Sequence, residues 1–155
     1  MHRDVPILAQ DFRDFIASLE AHQVVSILVG GFALGYHGVV RATSDIDFLY
    51  DRSPKNVSRL CSALTEFGAP PHVIDPEFMQ HADAITMIGQ PPLRIDLLAS
   101  ISGVSFSEVR AGALSVEVDG HPLLVIGLAA LKTNKAATDR VKDREDLRRL
   151  EAVRE

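Results

Sequence analysis

A chain of 155 residues, 46% apolar and 24% charged, can bury a core as one domain spanning 1–155, and its composition is neither disordered nor fibrous. No apolar run approaches the ~20 residues of a membrane span, and the opening MHRDVPILAQDF lacks the apolar stretch and cleavage site of a signal peptide. The net charge of −5 argues against a dedicated polyanion-binding surface, but it is uneven: eight Lys/Arg face six Asp/Glu from Lys132 onward, against eight and fifteen before it.

Apolar residues at Val5, Leu8, Phe12, Phe15, Ile16 and Leu19 predict an amphipathic helix over Val5 to His22. Val24 to Val29 is a β-branched run that predicts a buried strand. Gly30-Gly31 breaks it, a helical segment follows over Phe32 to His37, and Asp45 to Tyr50 predicts a second strand. On that strand Asp45, Asp47 and Leu49 share one face, and Ile46, Phe48 and Tyr50 the other. Ser53-Pro54 opens a helix, with Ser53 as its cap, that carries Val57, Leu60, Leu64 and Phe67 to a stop at Gly68. On this helix the lone Cys61 excludes an internal disulfide and suits a reducing cytoplasm.

Downstream, Pro76 to His81 predicts a helical turn, and Ala84 to Ile88 and Leu93 to Leu98 two strands joined through Gly89-Gln90-Pro91-Pro92. Ser105 to Ala111 predicts a short helix, and Leu114 to Val118 and Pro122 to Ile126 two further strands joined at Gly120. Helices over Leu128 to Thr138 and Lys142 to Arg154 close the chain, with Asp139-Arg140 between them. Strands and helices alternate without a regular period, which fits a mixed β-sheet flanked by helices, α/β or α+β.

The carboxylates carry the chemistry. Asp45 and Asp47 project in parallel roughly 7 Å apart by strand rise, and two like charges in apolar surroundings are costly without a cation or a shared proton. A bare Asp-x-Asp also describes a solvent-facing strand end. Asp96 changes the balance, because it lies mid-strand in Leu93–Leu98, where an unpaired carboxylate is expensive. If the two strands are neighbours, three carboxylates converge, and an oxygen-only donor set suits Mg²⁺ or Mn²⁺ rather than Zn²⁺. Two ions, roughly 3.5–4 Å apart in such sites, could activate an attacking oxygen and stabilise a leaving pyrophosphate.

Gly30-Gly31, between strand and helix, lets backbone N–H groups approach a phosphate, although a Gly-Gly pair alone is often only a tight turn. It is neither a Walker loop nor Gly-x-Gly-x-x-Gly. An EF-hand beginning at Asp45 fails at Tyr50 and Asn56, and one cysteine cannot build a cysteine-rich zinc site.

Taken together, Gly30-Gly31-Phe32-Ala33, Arg41-Ala42-Thr43-Ser44-Asp45-Ile46-Asp47, Asp96, Leu128 to Lys132 and Lys142-Asp143-Arg144-Glu145-Asp146-Leu147 resemble the nucleotidyltransferase superfamily of DNA polymerase beta. The nearer likeness is to its small stand-alone bacterial members, which include toxin–antitoxin-like and resistance-like proteins. The resemblance covers nearly the whole chain, and Thr-x-Asp-Ile-Asp is its most specific part.

That resemblance implies a five-stranded or similar mixed sheet, with Asp45, Asp47 and Asp96 as metal ligands and catalytic groups. Asp45 and Asp47 would hold two Mg²⁺ or Mn²⁺ ions and the triphosphate, while Asp96 helps activate the acceptor hydroxyl. Gly30 and Gly31 would seat the phosphates, with Arg41, Thr43, Lys132 and Lys135 as candidate nucleotide contacts. Lys142 and Asp143 read as a cap-and-salt-bridge device for the last helix.

The implied activity is transfer of an NMP from an NTP donor to a hydroxyl on RNA, protein or a small molecule, in the cytoplasm and without a membrane. The alternative is a non-catalytic antitoxin or interaction module that keeps the fold and binds a protein partner. A glycosyltransferase reading of Asp-Ile-Asp is weaker, since it does not require the upstream glycines.

Overall fold

The computed structural model describes residues 8–153. Its strands are β1 (Ser26–Val29), β2 (Asp45–Tyr50), β3 (Ile85–Ile88), β4 (Arg94–Leu98), β5 (Leu114–Val118) and β6 (His121–Val125). Its helices are α1 (Gln10–Ala21), α2 (Gly30–Tyr36), α3 (Pro54–Phe67), α4 (Pro76–Met79), α5 (Phe106–Ala111), α6 (Leu128–Thr138) and α7 (Val141–Ala152). The six strands form one mixed sheet in the order β3-β4-β2-β1-β6-β5. The β2–β4 and β1–β6 pairs are parallel and the others antiparallel. The architecture is α+β, one strand more than the resemblance implied, because β5 pairs outside β6 along its whole length.

Alternation along β2 sets the two faces of the sheet. Ile46, Phe48 and Tyr50 are fully buried, and Phe15 of α1 bridges Phe48 and Phe67 of α3, with ring centroids 5.5 and 5.1 Å apart. The apolar stripes of α1 and α3 therefore meet over this face, which fixes the strand register, since a one-residue slip would bury Asp45 and Asp47 instead. The opposite face carries those carboxylates. Among the described residues, no helix is long and apolar enough to cross a membrane.

Several boundaries move for local reasons. Helix α1 begins at Gln10; Leu8 is buried ahead of it, and Val5 lies outside the described residues, as does Arg154 at the far end. Strand β1 begins at Ser26, because Val25 is bracketed by the Asn56 amide, which accepts from its N–H at 2.7 Å and donates to its carbonyl at 3.0 Å. Ser53 occupies the cap position of α3, but its side chain makes no capping bond; its N–H instead donates to Asp51 Oδ1. Ser105 caps α5 in full, with reciprocal bonds to Glu108. A 3-10 turn over Pro71–Val73 carried no signal in the sequence.

Candidate active site

Parallel pairing of β2 with β4 sets Asp47 beside Asp96 and Asp45 beside Arg94. Paired residues of neighbouring strands project to the same face, so the two strands bring three carboxylates and one guanidinium together. Asp45, Asp47 and Asp96 each offer an oxygen within 4.8 Å of the others. Asp96 is buried, and the other two are half-buried.

The three titrate differently because their neighbours differ. Burial drives the Asp47 carboxyl up to about 7, and the charges of Asp45 and Asp96 and a hydrogen bond with Asp96 add to the effect against the opposing pull of Lys135. Burial also acts on Asp45, but hydrogen bonds with Asp96 and Arg94 and the charges of Arg94 and Lys142 outweigh it, and its carboxyl falls below the ordinary range. Asp96 is raised, chiefly by burial, although Arg94 opposes the shift. Arg94 Nε donates to Asp96 Oδ1 at 2.8 Å, and its Nη2 donates to Asp96 Oδ2 at 3.0 Å and to Asp45 Oδ2 at 2.8 Å. Asp47 takes part in no ion pair among the described residues. Oxygen-only donors at this spacing, with one carboxylate in no ion pair among the described residues, fit a hard divalent cation such as Mg²⁺ or Mn²⁺.

The glycines earn their place by contact with this row. They end β1 at Val29 as expected, but the helix begins at Gly30 rather than Phe32, so the pair forms the first turn of α2. Gly30 has φ +71°, and a Cβ there would lie 2.1 Å from Asp47 Oδ2. At Gly31 a Cβ would lie 3.0 Å from Thr43 Oγ1. Only a residue without a side chain lets the backbone pass this close to Asp47. Thr43 Oγ1 in turn donates to the Asp45 carbonyl at 3.1 Å, which ties the loop before β2 to the strand.

The third wall comes from α6 and α7, where Lys135, a candidate nucleotide contact, is committed to a buried ionic cluster. Lys135 is 4% exposed, and its Nζ lies 3.3 Å from Asp143 and 3.0 Å from Asp146, both fully buried. Asp146 also receives the Arg41 fork, Nε at 2.8 Å and Nη2 at 3.1 Å. Asp143 accepts from the Arg140 backbone N–H at 3.2 Å and from its Nε at 2.7 Å, so it caps α7 as expected, but with Arg140 and Lys135 as its ion partners in place of Lys142. Burial alone would raise the Asp143 carboxyl; hydrogen bonds from Arg140 and Thr138 and the Lys135 charge hold it well below the usual range instead.

These walls enclose a cleft of about 530 Å³, within the range for small-molecule sites. Gly30, Gly31, Arg41, Thr43, Lys135 and the three carboxylates all line it. Lys132 does not; it lies on α6 three residues before Lys135, off the cleft lining. Arg41 reaches the cleft with two of its three guanidinium nitrogens committed to Asp146. Arg94, Arg140 and Lys142 also line the cleft, although none is among the candidate nucleotide contacts and Lys142 reads in the sequence only as part of the α7 cap. For Arg94 the signal was present, since it stands two residues before Asp96 on one strand and so shares its face. For Arg140 and Lys142 no local pattern distinguishes a cleft cation from a solvated one.

No protein-family profile matches the chain, and no curated protein sequence is detectably similar to it. Solved structures do match. A candidate nucleotidyltransferase from Thermotoga maritima, TM1012, superposes with a TM-score of 0.60 at 16% identity, over 89% of this chain and 88% of its own. The antibiotic-resistance factor ANT(2'')-Ia superposes at 0.59 and 14% identity, over 90% and 80% of the two chains. A complex of ANT(2'')-Ia with adenylyl-2''-tobramycin superposes at 0.58 and 15%, over 90% and 84%. The chain therefore has the nucleotidyltransferase fold.

Proposed function

We propose that the protein is a Mg²⁺-dependent nucleotidyltransferase, which moves an NMP from an NTP to an acceptor hydroxyl with release of pyrophosphate. The observation that carries this reading is the convergence of Asp45, Asp47 and Asp96 beside Gly30 on a nucleotidyltransferase fold. Asp45 and Asp47 would hold the divalent ions, with Asp96 completing the set; once bound, the ions neutralise the triphosphate and the charge that develops on the leaving pyrophosphate.

The chain's own residues do the rest. Gly30 and Gly31 let Asp47 and Thr43 pack against a turn that lines the cleft, and the phosphates would bind beside that turn. Arg140 and Lys142 add positive charge on the α7 side of the cleft, and Lys135 does so from within its ion cluster. Asp96 accepts the acceptor's proton as its oxygen bonds to the α-phosphorus, and the bond from that phosphorus to the bridging oxygen breaks to free pyrophosphate. Catalysis is then positioning plus charge neutralisation.

Apolar Ile85 and Leu98 line the cleft on the far side of Asp96, with Ser100 and Ser102 beside them, which gives the acceptor half an uncharged wall. Incubation with α-labelled NTPs, Mg²⁺ and cell extract tests the reading. Label transfer by the wild type, abolished in Asp45→Ala and Asp47→Ala while the fold survives, is the expected result. Comparable turnover in either variant refutes the role given to these carboxylates.

A further inference from the structure

Arg94 is placed among the carboxylates by backbone register and not by the reach of a flexible side chain. It pairs with Asp45 across the β2–β4 ladder and precedes Asp96 by two residues on β4, so all three project from the same face. Its guanidinium engages both oxygens of Asp96 and one of Asp45. The fork is bidentate on Asp96, the geometry in which arginine binds a carboxylate most strongly. The Asp96 side chain is 8% exposed and that of Arg94 29%, so the carboxylate is fixed in the floor while the guanidinium lies at the rim. Its hydrogen bonds run only to Asp45 and Asp96 among the described residues, and no third group anchors it against displacement. Asp47, on the same row, has no such cation.

We propose that Arg94 is a built-in counter-ion that competes with divalent cations for Asp96. Asp47 and the Asp45 oxygen outside the fork then load first, and Asp96, held through both of its oxygens, becomes a ligand only once the guanidinium is displaced. This inference rests on the metal-binding part of the proposed function. A cation that must displace the fork binds with an affinity lowered by the stability of the fork, as for any ligand whose competent state is a minor one. The guanidinium also holds Asp45 and Asp96 together when no cation is bound, which offsets the repulsion between those two. A lysine at this position keeps the charge but cannot form the planar fork, so charge and occupancy can be separated.

The test is a Mn²⁺ titration of the full chain without nucleotide, read by the paramagnetic signal of free Mn²⁺ and by calorimetry. The wild type is expected to bind in a tight and a weak phase. In Arg94→Met the weak phase tightens tenfold or more, and Arg94→Lys falls between, while Asp96→Asn loses the weak phase alone. Circular dichroism monitors the fold; if Arg94→Met does not fold, Arg94→Lys decides, with tightening of threefold or more expected. Equal or weaker Mn²⁺ binding in the folded Arg94 variants overturns the competition, as does a weak phase that persists in Asp96→Asn. Absence of Mn²⁺ binding in every protein, wild type included, overturns the metal reading itself, so the two failures are distinguishable.

Discussion

Asp47 is the residue whose function and stability are most sharply opposed. Its carboxyl is held near 7 against an ordinary 3.8, by burial first and by the Asp45 and Asp96 charges second. Each unit of that difference is worth about 1.4 kcal/mol, so ionising Asp47 costs the metal-free fold on the order of 4 kcal/mol relative to the unfolded chain. Because the folded value lies above the unfolded one, this handicap is absent below about pH 4 and complete once the pH has passed about 7. Asp47→Asn removes the charge at nearly constant shape.

In a domain of this size about 1 kcal/mol moves the melting temperature by ~2–4 °C. In EDTA at pH 8.5 the variant should therefore melt higher than the wild type by about 5–10 °C, with relaxation around the carboxylate reducing the full figure. At pH 4 the two should melt within about 2 °C of each other. Thermal denaturation followed by circular dichroism across that range is the assay. A variant that is no more stable at pH 8.5, or whose advantage does not shrink as the pH falls, refutes the electrostatic account of the site. The same variant should lose Mn²⁺ binding, the converse of its gain in stability.

Other substitutions probe the walls of the cleft. Gly30→Ala must displace Asp47, because its Cβ would fall 2.1 Å from Oδ2 at a left-handed φ; an isothermal titration should show Mn²⁺ affinity falling at least tenfold, and unchanged affinity would contradict the close approach. Asp146→Ala strips one partner from both Lys135 and Arg41 in a buried cluster, and urea denaturation should register a loss of about 3 kcal/mol. Asp143 is held below the usual carboxylate range, so it stabilises the fold above an unfolded value of about 3.9 and loses that contribution as the pH falls through its folded one. Asp143→Asn should thus be less stable at pH 7 yet lose less stability on acidification below pH 4; a parallel acid limb would count against the assignment.

Much of the site could be read along the chain because its signals are local. Asp-x-Asp on an alternating strand defines a shared face whatever the fold, and a mid-strand Asp96 asks for a partner wherever the strand lies. The glycine pair announced a close approach, though what approaches most closely is Asp47 itself, which only the Val29–Asp47 pairing reveals. What local pattern could not carry was register and long-range pairing. Arg94 needed the parallel β2–β4 alignment to meet Asp45, 49 residues away. Arg41 and Lys135 are candidate nucleotide contacts in the sequence, and their pairing with Asp146 could not be read because Asp146 lies 105 residues from the first and on the next helix from the second. Buried ion clusters of this kind are assembled by tertiary packing, and a sequence shows only their charges.

The central claim is that Asp45, Asp47 and Asp96 hold divalent cations that receive a nucleotide triphosphate. Its most direct test is a crystal soaked with Mn²⁺ and a non-hydrolysable NTP, examined by anomalous scattering. The account predicts manganese between the three carboxylates, with the triphosphate lying against Gly30 and Gly31. Manganese elsewhere, or a triphosphate bound away from that turn, would contradict it.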